Sequence, residues 1–418
     1  LLHSVLAAAA CFALWRLWCR WFGRGDARAA LVAGVGLVAR AAAGEALFWT
    51  SYLRLPIARP LQLGGGLWFF AVDGAGYMAY AESLARRGAM ATLTIDAHYP
   101  SRAYVQILTA FVAAFGDVAS VALLLNCAAY LATCALLVRL RPRVDGAVLF
   151  ALAAIAFGPA TLVWSLQPLK DTFFQLLVAA LVVACARWQE RPGAAPAAAM
   201  VALTFLLSSI RWYFGVIAWC ALAPFFALTS RRRWLAAAAL FLVISQAVRF
   251  GGGGDIHPYI QRMLDPRSAA GAIRPAQATQ VIAKARRGFE RTPGATAIQP
   301  PRGEESSPML AGVAAAFLPR FIAEPLGLVH VGGGRGLWLF ADLDTLVFDA
   351  VLIAAAVHCV RARRRATPLF GFVLLVLVAV GVPMIYTVSN FGTLFRLRDM
   401  LYFLAAVLPV TLAPDSPR

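Results

Sequence analysis

The sequence predicts an all-α polytopic membrane protein, and three observations carry that prediction. Hydrophobic residues make up 61% of the 418 and charged residues 14%, with a mean hydropathy of +0.73, far from soluble usage. Apolar stretches near the ~20 residues that cross a ~30 Å hydrocarbon core recur from Ala29 onward. The short alternating strands of a membrane barrel are absent from the pattern.

Ten spans are read at residues 29–52, 118–138, 146–164, 172–186, 195–210, 213–228, 235–250, 343–360, 369–387 and 400–413. Residues 1–20 are also apolar but carry Arg16 and Arg20, which leaves a further span or an interfacial helix open. The basic residues follow the apolar run instead of preceding it, against a secretory signal. A first residue of Leu1 fits either a shortened N-terminus or an unusual start codon. The chain divides into an apolar and basic N-terminal helix (1–28), a transmembrane module (29–250) with a large first loop (53–117), a long loop (251–342) and a second transmembrane module (343–418).

Short basic loops prefer the cytoplasm. Arg24 and Arg28, then Arg139, Arg141 and Arg143, then Arg187 and Arg191, then Arg231 to Arg233, then Arg361 and Arg363 to Arg365 all fall on one side of this map. Residues 53–117, 165–171, 211–212, 251–342 and 388–398 therefore fall on the external side.

A net charge of +18 raises nucleic acid as a partner. Many of the arginines sit at membrane boundaries, where lipid headgroups are their neighbours, so membrane lipids are the expected partner and no nucleic acid is. The seven cysteines lie in or beside apolar segments with no Cys-x-x-Cys pair, which indicates neither a disulfide framework nor a zinc site. The glycine runs 64–66, 251–254 and 332–334 lack the strand-turn-helix setting of a nucleotide fingerprint and read as hinges.

The first loop is richest in chemistry. Asp73 stands in Trp-Phe-Phe-Ala-Val-Asp-Gly-Ala-Gly-Tyr, and two readings stand for it: a helix N-cap, or a carboxylate that works at the membrane surface. Tyr77, Tyr80 and Leu84 follow at helical spacing on one face of a short helix that ends at Arg86-Arg87-Gly88. Asp96, His98, Arg102 and Tyr104 lie in and after a polar turn that leads into the apolar stretch 105–115, too short to span. Asp96 and His98 also read as turn residues, and Arg102 as a headgroup anchor.

Lys170 and Arg211 sit at external helix ends, against the positive-inside bias, so each needs a compensating anion or must snorkel to headgroups. A Lys170–Asp171 pair at the helix end also serves. Before the last span, Asn390, Arg396 and Arg398 form a second polar group, and guanidiniums grip phosphate oxygens bidentately.

The order of these features resembles the GT-C class of membrane glycosyltransferases, especially the bacterial relatives of protein mannosyltransferases and lipid A aminoarabinose transferases. The likeness runs through Asp73 in Val-Asp-Gly-Ala-Gly-Tyr-Met-Ala-Tyr-Ala and through Tyr99-Pro-Ser-Arg-Ala-Tyr104 opening an apolar helix. It continues through Phe115-Gly-Asp117, a span with Leu125-Asn126, Lys170-Asp171, and Asn390-Phe-Gly-Thr-Leu-Phe-Arg-Leu-Arg398.

The resemblance implies a GT-C-like bundle with periplasmic interfacial helices in a bacterial cytoplasmic (inner) membrane, serving cell-envelope or polysaccharide biosynthesis. It implies inverting transfer of a sugar from a polyprenyl-phosphate-linked donor to a hydroxyl of a glycan, lipid or protein acceptor, with Asp73 as base. Lys170, Arg211, Arg396, Arg398 and Arg102 are then candidates for the donor phosphate, and Tyr77, Tyr80, Asp96, His98, Tyr104 and Asn390 for substrate. Two features depart from the pattern: Gly74 stands where a second acidic residue is usual, and Tyr-Pro-Ser-Arg replaces a double proline. No cofactor is implied with certainty, and a divalent cation on Asp73 with Asp96 or His98 is an open alternative. A polysaccharide polymerase or ligase centred on the arginines, and a lipid-linked sugar flippase or transporter, are the competing readings.

Overall fold

The computed structural model describes residues 2–21, 25–96, 99, 101–230, 233–252, 298–299, 308–331, 338–361, 366–388 and 391–413. Helices dominate: α1 (Leu2–Trp21), α2 (Ala27–Tyr52), α3 (Val72–Arg87), α4 (Arg102–Phe115), α5 (Ala119–Arg139), α6 (Gly146–Phe157), α7 (Pro159–Ser165) and α8 (Asp171–Glu190). They continue as α9 (Ala194–Ile210), α10 (Trp212–Thr229), α11 (Trp234–Gly251), α12 (Pro308–Phe317), α13 (Arg320–Ala323), α14 (Trp338–Arg361), α15 (Pro368–Thr387) and α16 (Phe391–Val407). The only strands among the described residues form two small antiparallel pairs, Gln62–Gly64 with Leu67–Trp68 and Ile298–Gln299 with His330–Val331.

Eight of the described helices are long and apolar enough to cross a membrane, or nine if the bent pair α6–α7 is one span. Leu31 and Val38 on α2, Leu242 on α11 and Ile353 and Val360 on α14 stand exposed. Apolar surface of that extent needs a hydrocarbon solvent instead of water. The chain is an all-α, multi-pass membrane protein.

The ten expected spans map onto this set with three differences. Residues 195–210 fall in α9, whose 17 residues are short for a span. Residues 400–413 are the end of α16 and a 3-10 turn at Leu408–Thr411, because that helix starts at Phe391 and takes in Arg396, Arg398 and Asp399. Residues 146–164 are broken into α6 and α7, bent by 53°. In exchange α1 is itself apolar enough to cross.

The break at Gly158-Pro159 follows from proline, which lacks an N–H and clashes with the preceding turn. Gly158 is needed because a Cβ there would come within 2.7 Å of the Tyr402 ring. Carbonyls freed in hydrocarbon must find donors. Arg40, in the middle of α2 and 1% exposed, donates to the carbonyls of Ile155 (2.7 Å) and Ala156 (2.9 Å). Its guanidinium also lies 4.0 Å over the Tyr130 ring. Tyr402 donates its hydroxyl to Ala154 O (3.1 Å), and the Asp344 carboxylate of α14 accepts the Ala160 N–H at the start of α7 (2.9 Å). Both broken ends are thus satisfied by side chains from other helices.

The described parts of the basic loops gather at one end of the bundle. There Asp26 caps α2 by accepting from the backbone of Arg28 and Ala29, and Arg141 donates to Val410 O (2.8 Å) and Pro409 O (3.0 Å). The opposite end carries the hairpin 62–68, α3, α4, the loop 166–170, the α9–α10 junction and the start of α16.

Candidate functional site

Four segments of that opposite end bring charged side chains together. α3 forms as its spacing predicts and stops at Gly88, whose φ of +95° lies in the region open to glycine. Its N-cap is Ala71, however, and Asp73 sits inside the first turn. Asp73 therefore does not cap the helix. Its carboxylate is 51% exposed and accepts from Arg396 Nη1 at 2.5 Å.

Gly74 explains the missing second acid. A Cβ there would stand 3.0 Å from Pro168 Cγ and 3.2 Å from the Pro168 carbonyl oxygen, so α3 lies directly on the loop 166–170. That loop is held from below by Asn126 of α5, whose Nδ2 donates to Ser165 O (2.9 Å) and Gln167 O (2.7 Å). Gln167 in turn donates to Gly66 O in the hairpin (3.4 Å). The loop ends on Lys170, directly before α8.

Asp171 is the hub of the cluster. It is 2% exposed, and one carboxylate oxygen, Oδ2, accepts from Arg396 Nε (3.0 Å) and Nη2 (2.8 Å). The other, Oδ1, accepts from Arg211 Nη2. Arg211 also donates from Nη1 to the Tyr213 hydroxyl (2.9 Å), and its Nε is buried without a partner. The expected Lys170–Asp171 pair is replaced by this double clamp, since consecutive residues at a helix start do not face one another.

Lys170 instead donates to Ser101 Oγ (2.5 Å) and Ile210 O (3.2 Å). Burial, then the guanidiniums of Arg211 and Arg396, pull its ammonium down to about 7. Ser101 is fully buried in a left-handed conformation, φ +77°, and pairs with the Tyr77 hydroxyl at 3.1 Å. Burial raises the Tyr77 phenol against the opposing pull of that hydrogen bond. Trp164 lies under Arg396, with the guanidinium carbon 5.8 Å from its ring centre.

The structure thus brings together Asp73, Lys170, Arg211, Arg396 and Tyr77 from the sequence-predicted set. It separates others. Arg398 is 1% exposed and paired with Asp344 at 3.1 Å; its Nη1 donates to Ala316 O (3.0 Å) and Thr345 Oγ1 (2.8 Å). Held by those partners, it faces α12 and α14 instead of the cluster. Tyr104 is wholly buried with its ring edge-on to Tyr77 at 5.5 Å, so it packs the cluster from behind. Tyr80 packs against Tyr99, centroids 4.8 Å apart. Arg102 opens α4 half-buried and makes no hydrogen bond or ion pair to the cluster among the described residues. Asp96 is exposed, and its carbonyl accepts from Tyr99 N (3.0 Å). His98 and Asn390 lie outside the described residues.

Sequence reasoning missed Asp171 as a hub and Ser101 as a ligand of Lys170. It also missed Gln175 and Asp399, which sit behind the cluster with Gln175 Nε2 donating to Asp399 Oδ2 at 2.8 Å. The available signal was spacing: Asp171 and Gln175 are one helical turn apart on α8. No group of three or more His, Cys, Asp or Glu side chains able to hold a metal occurs among the described residues. An apolar cavity of about 600 Å³ between α1, α2 and α5, lined by Phe12, Trp15, Leu31 and Leu123 among others, shares no residue with the cluster.

Compared with protein-family models, curated proteins and solved structures, the chain matches none of them.

Proposed function

We propose that this protein is an integral-membrane glycosyltransferase that moves a sugar from a polyprenyl-phosphate-linked donor to an acceptor hydroxyl at the external face of the membrane. One observation carries the reading: the half-exposed Asp73 carboxylate stands 2.5 Å from Arg396, within a cluster that also holds Arg211 and Lys170. A base and a set of phosphate-binding cations are the two things such a transfer needs side by side.

In the reaction, the acceptor oxygen attacks the anomeric carbon as Asp73 takes its proton, with inversion. The bond from that carbon to the phosphate oxygen breaks, and the polyprenyl phosphate leaves with the electron pair. Arg396, Arg211 and Lys170 are the groups that meet the charge developing on that phosphate. Asp171 keeps both guanidiniums in place before the donor arrives, which lowers the cost of ordering them on binding.

The broken span α6–α7 is the one feature that favours a transporter, since broken helices often line transport sites. Here its ends are occupied by Arg40, Tyr402 and Asp344, which leaves no free terminus for cargo. The deciding experiment measures free polyprenyl phosphate released from a panel of polyprenyl-phosphate sugars by purified protein and by Asp73→Asn and Arg396→Ala. Release that collapses in Asp73→Asn is expected. Equal release by both would remove Asp73 from the chemistry, and no release from any donor would overturn the proposal.

A further inference from the structure

Arg396 has two carboxylate partners of very different standing. Asp171 is 2% exposed and takes two of its N–H groups, from Nε and Nη2. Asp73 is 51% exposed and takes one, from Nη1. Losing a buried partner strands a charge at high cost, whereas a solvent-exposed pair is held weakly and exchanges readily. The Asp73 contact is therefore the one that gives way.

We infer that the phosphate of a membrane-resident lipid displaces Asp73 from Arg396, so that donor binding itself frees the carboxylate to act as base. The inference rests on the glycosyl-transfer reading of the same site and adds its regulation. Three features of the geometry support it. The Nη1 contact through Oδ2 turns the Asp73 carboxylate toward Arg396, and release from that contact leaves it free to turn toward an acceptor hydroxyl. The planar fork of arginine takes another oxyanion where it took a carboxylate, so a phosphate fits the vacated edge without moving Asp171. Lys170 and Arg211 flank the same place, the former within hydrogen-bonding distance of Ser101 and Ile210 and the latter anchored on Asp171. A phosphate there gains cations with which Asp73, fixed on α3, makes no hydrogen bond among the described residues.

With the donor absent, the carboxylate is held toward Arg396 and away from an acceptor, which limits abstraction of protons from acceptors that have no sugar to receive. Departure of the lipid phosphate after transfer lets Asp73 return to Arg396 and helps expel the product. No bond is made or broken in this exchange beyond the hydrogen bonds named.

The test is equilibrium binding of labelled polyprenyl phosphate to the purified full chain in detergent micelles, with polyprenyl alcohol as the control lipid. Asp73→Asn removes the competing anion and keeps the side chain's size. It is expected to bind polyprenyl phosphate about tenfold more tightly than wild type, the factor that about 1.4 kcal/mol represents, while its turnover is lost. In an Arg396→Gln background, which keeps a donor for Asp171 without the charge, Asp73→Asn is expected to change nothing. Unchanged or weaker binding by Asp73→Asn in a protein that turns over donor would overturn the inference and leave the transferase reading standing. Absence of polyprenyl phosphate binding by wild type would overturn both. The same tenfold shift with inorganic phosphate in place of the lipid would overturn the assignment to a lipid. Melting temperatures within a few degrees of wild type, checked for each variant, tie the shifts to the exchange.

Discussion

Arg396 and Arg398 stand two residues apart on α16 and end on different buried carboxylates, Asp171 and Asp344 respectively. Residues at i and i+2 of a helix point to opposite sides. The turn that carries them therefore ties the charged cluster on one side to α12 and α14 on the other, where Arg398 also reaches Ala316 O and Thr345. One guanidinium faces the charged cluster and the other is part of the frame.

This division sets opposite phenotypes. Arg398→Ala leaves Asp344 buried without its cation and is expected to cost about 3–5 kcal/mol of stability, seen as a large fall in melting temperature by tryptophan fluorescence. Arg396→Ala leaves Asp171 with Arg211, so its fold is expected to survive while polyprenyl phosphate binding is lost. The reverse order of the two melting temperatures would contradict the assignment.

Lys170 gives a pH dependence with a definite sign. Its ammonium titrates at about 7 in the folded protein, against ~10.4 for an unperturbed lysine. Between those values the unfolded chain binds the extra proton and the folded one does not, so the Lys170 contribution to stability rises with pH from about 7 and is absent below it. Ligand affinity runs the other way, because a phosphate needs the ammonium. From pH 7 to 9, above the second phosphate ionisation near ~6, binding of polyprenyl phosphate is expected to weaken in wild type and to stay flat in Lys170→Met. A flat wild-type profile would remove Lys170 from the anion site.

Asn126 holds the loop that delivers Lys170. Asn126→Leu keeps the volume but strips the Nδ2 donor from Ser165 O and Gln167 O; Gln167 O keeps the Leu169 N–H (2.6 Å), so Ser165 O bears the loss, with an expected cost of about 1–3 kcal/mol for a stranded buried acceptor. Because that loop also bears Pro168, on which Gly74 of α3 rests, the variant is expected to weaken phosphate binding as well as lower the melting temperature. A stability loss with affinity intact would confine Asn126 to the frame.

Much of the cluster was legible in the sequence for a simple reason. Asp73, Lys170 and Arg211 each sit at a helix end and Arg396 in the second turn of α16, and the arginine bias of the loops assigns those ends to one side. A side of a bundle is a small area, so groups assigned to it meet. What could not be read was which face of a helix each residue takes. Arg398 was grouped with Arg396 on proximity along the chain, and Asp171 with Lys170 for the same reason, whereas helical geometry separates both pairs. Asp73 looked like a cap because aspartate precedes a helical run, yet the 3-10 turn at Phe69–Ala71 starts the helix early and moves the cap to Ala71. The broken span had its signal in Gly158-Pro159, which hydropathy averages away.

Arg40 tests how that break is held. It lies in the middle of a span, and no carboxylate is among its hydrogen-bond partners; its charge is met by the C-terminal carbonyls of α6 and by the Tyr130 ring. A helix C-terminus carries partial negative charge, which suits a cation, and the aromatic face adds a further attraction. Arg40→Met removes the donors to Ala156 O and Ile155 O; Ile155 O keeps Thr161 Oγ1 (3.0 Å), so the Ala156 carbonyl bears the loss. An unpaired carbonyl in hydrocarbon costs several kcal/mol, about 2–7 by the reference chosen. Arg40→Lys keeps the charge and donors but loses the planar fork and the reach of the guanidinium, so melting temperatures are expected to fall in the order wild type, Lys, Met. Since α7 runs from this break into the loop that ends at Lys170, the Met variant is also expected to lose polyprenyl phosphate affinity. Equal melting temperatures for all three proteins would mean that the break is held by Asp344 and Tyr402 without Arg40.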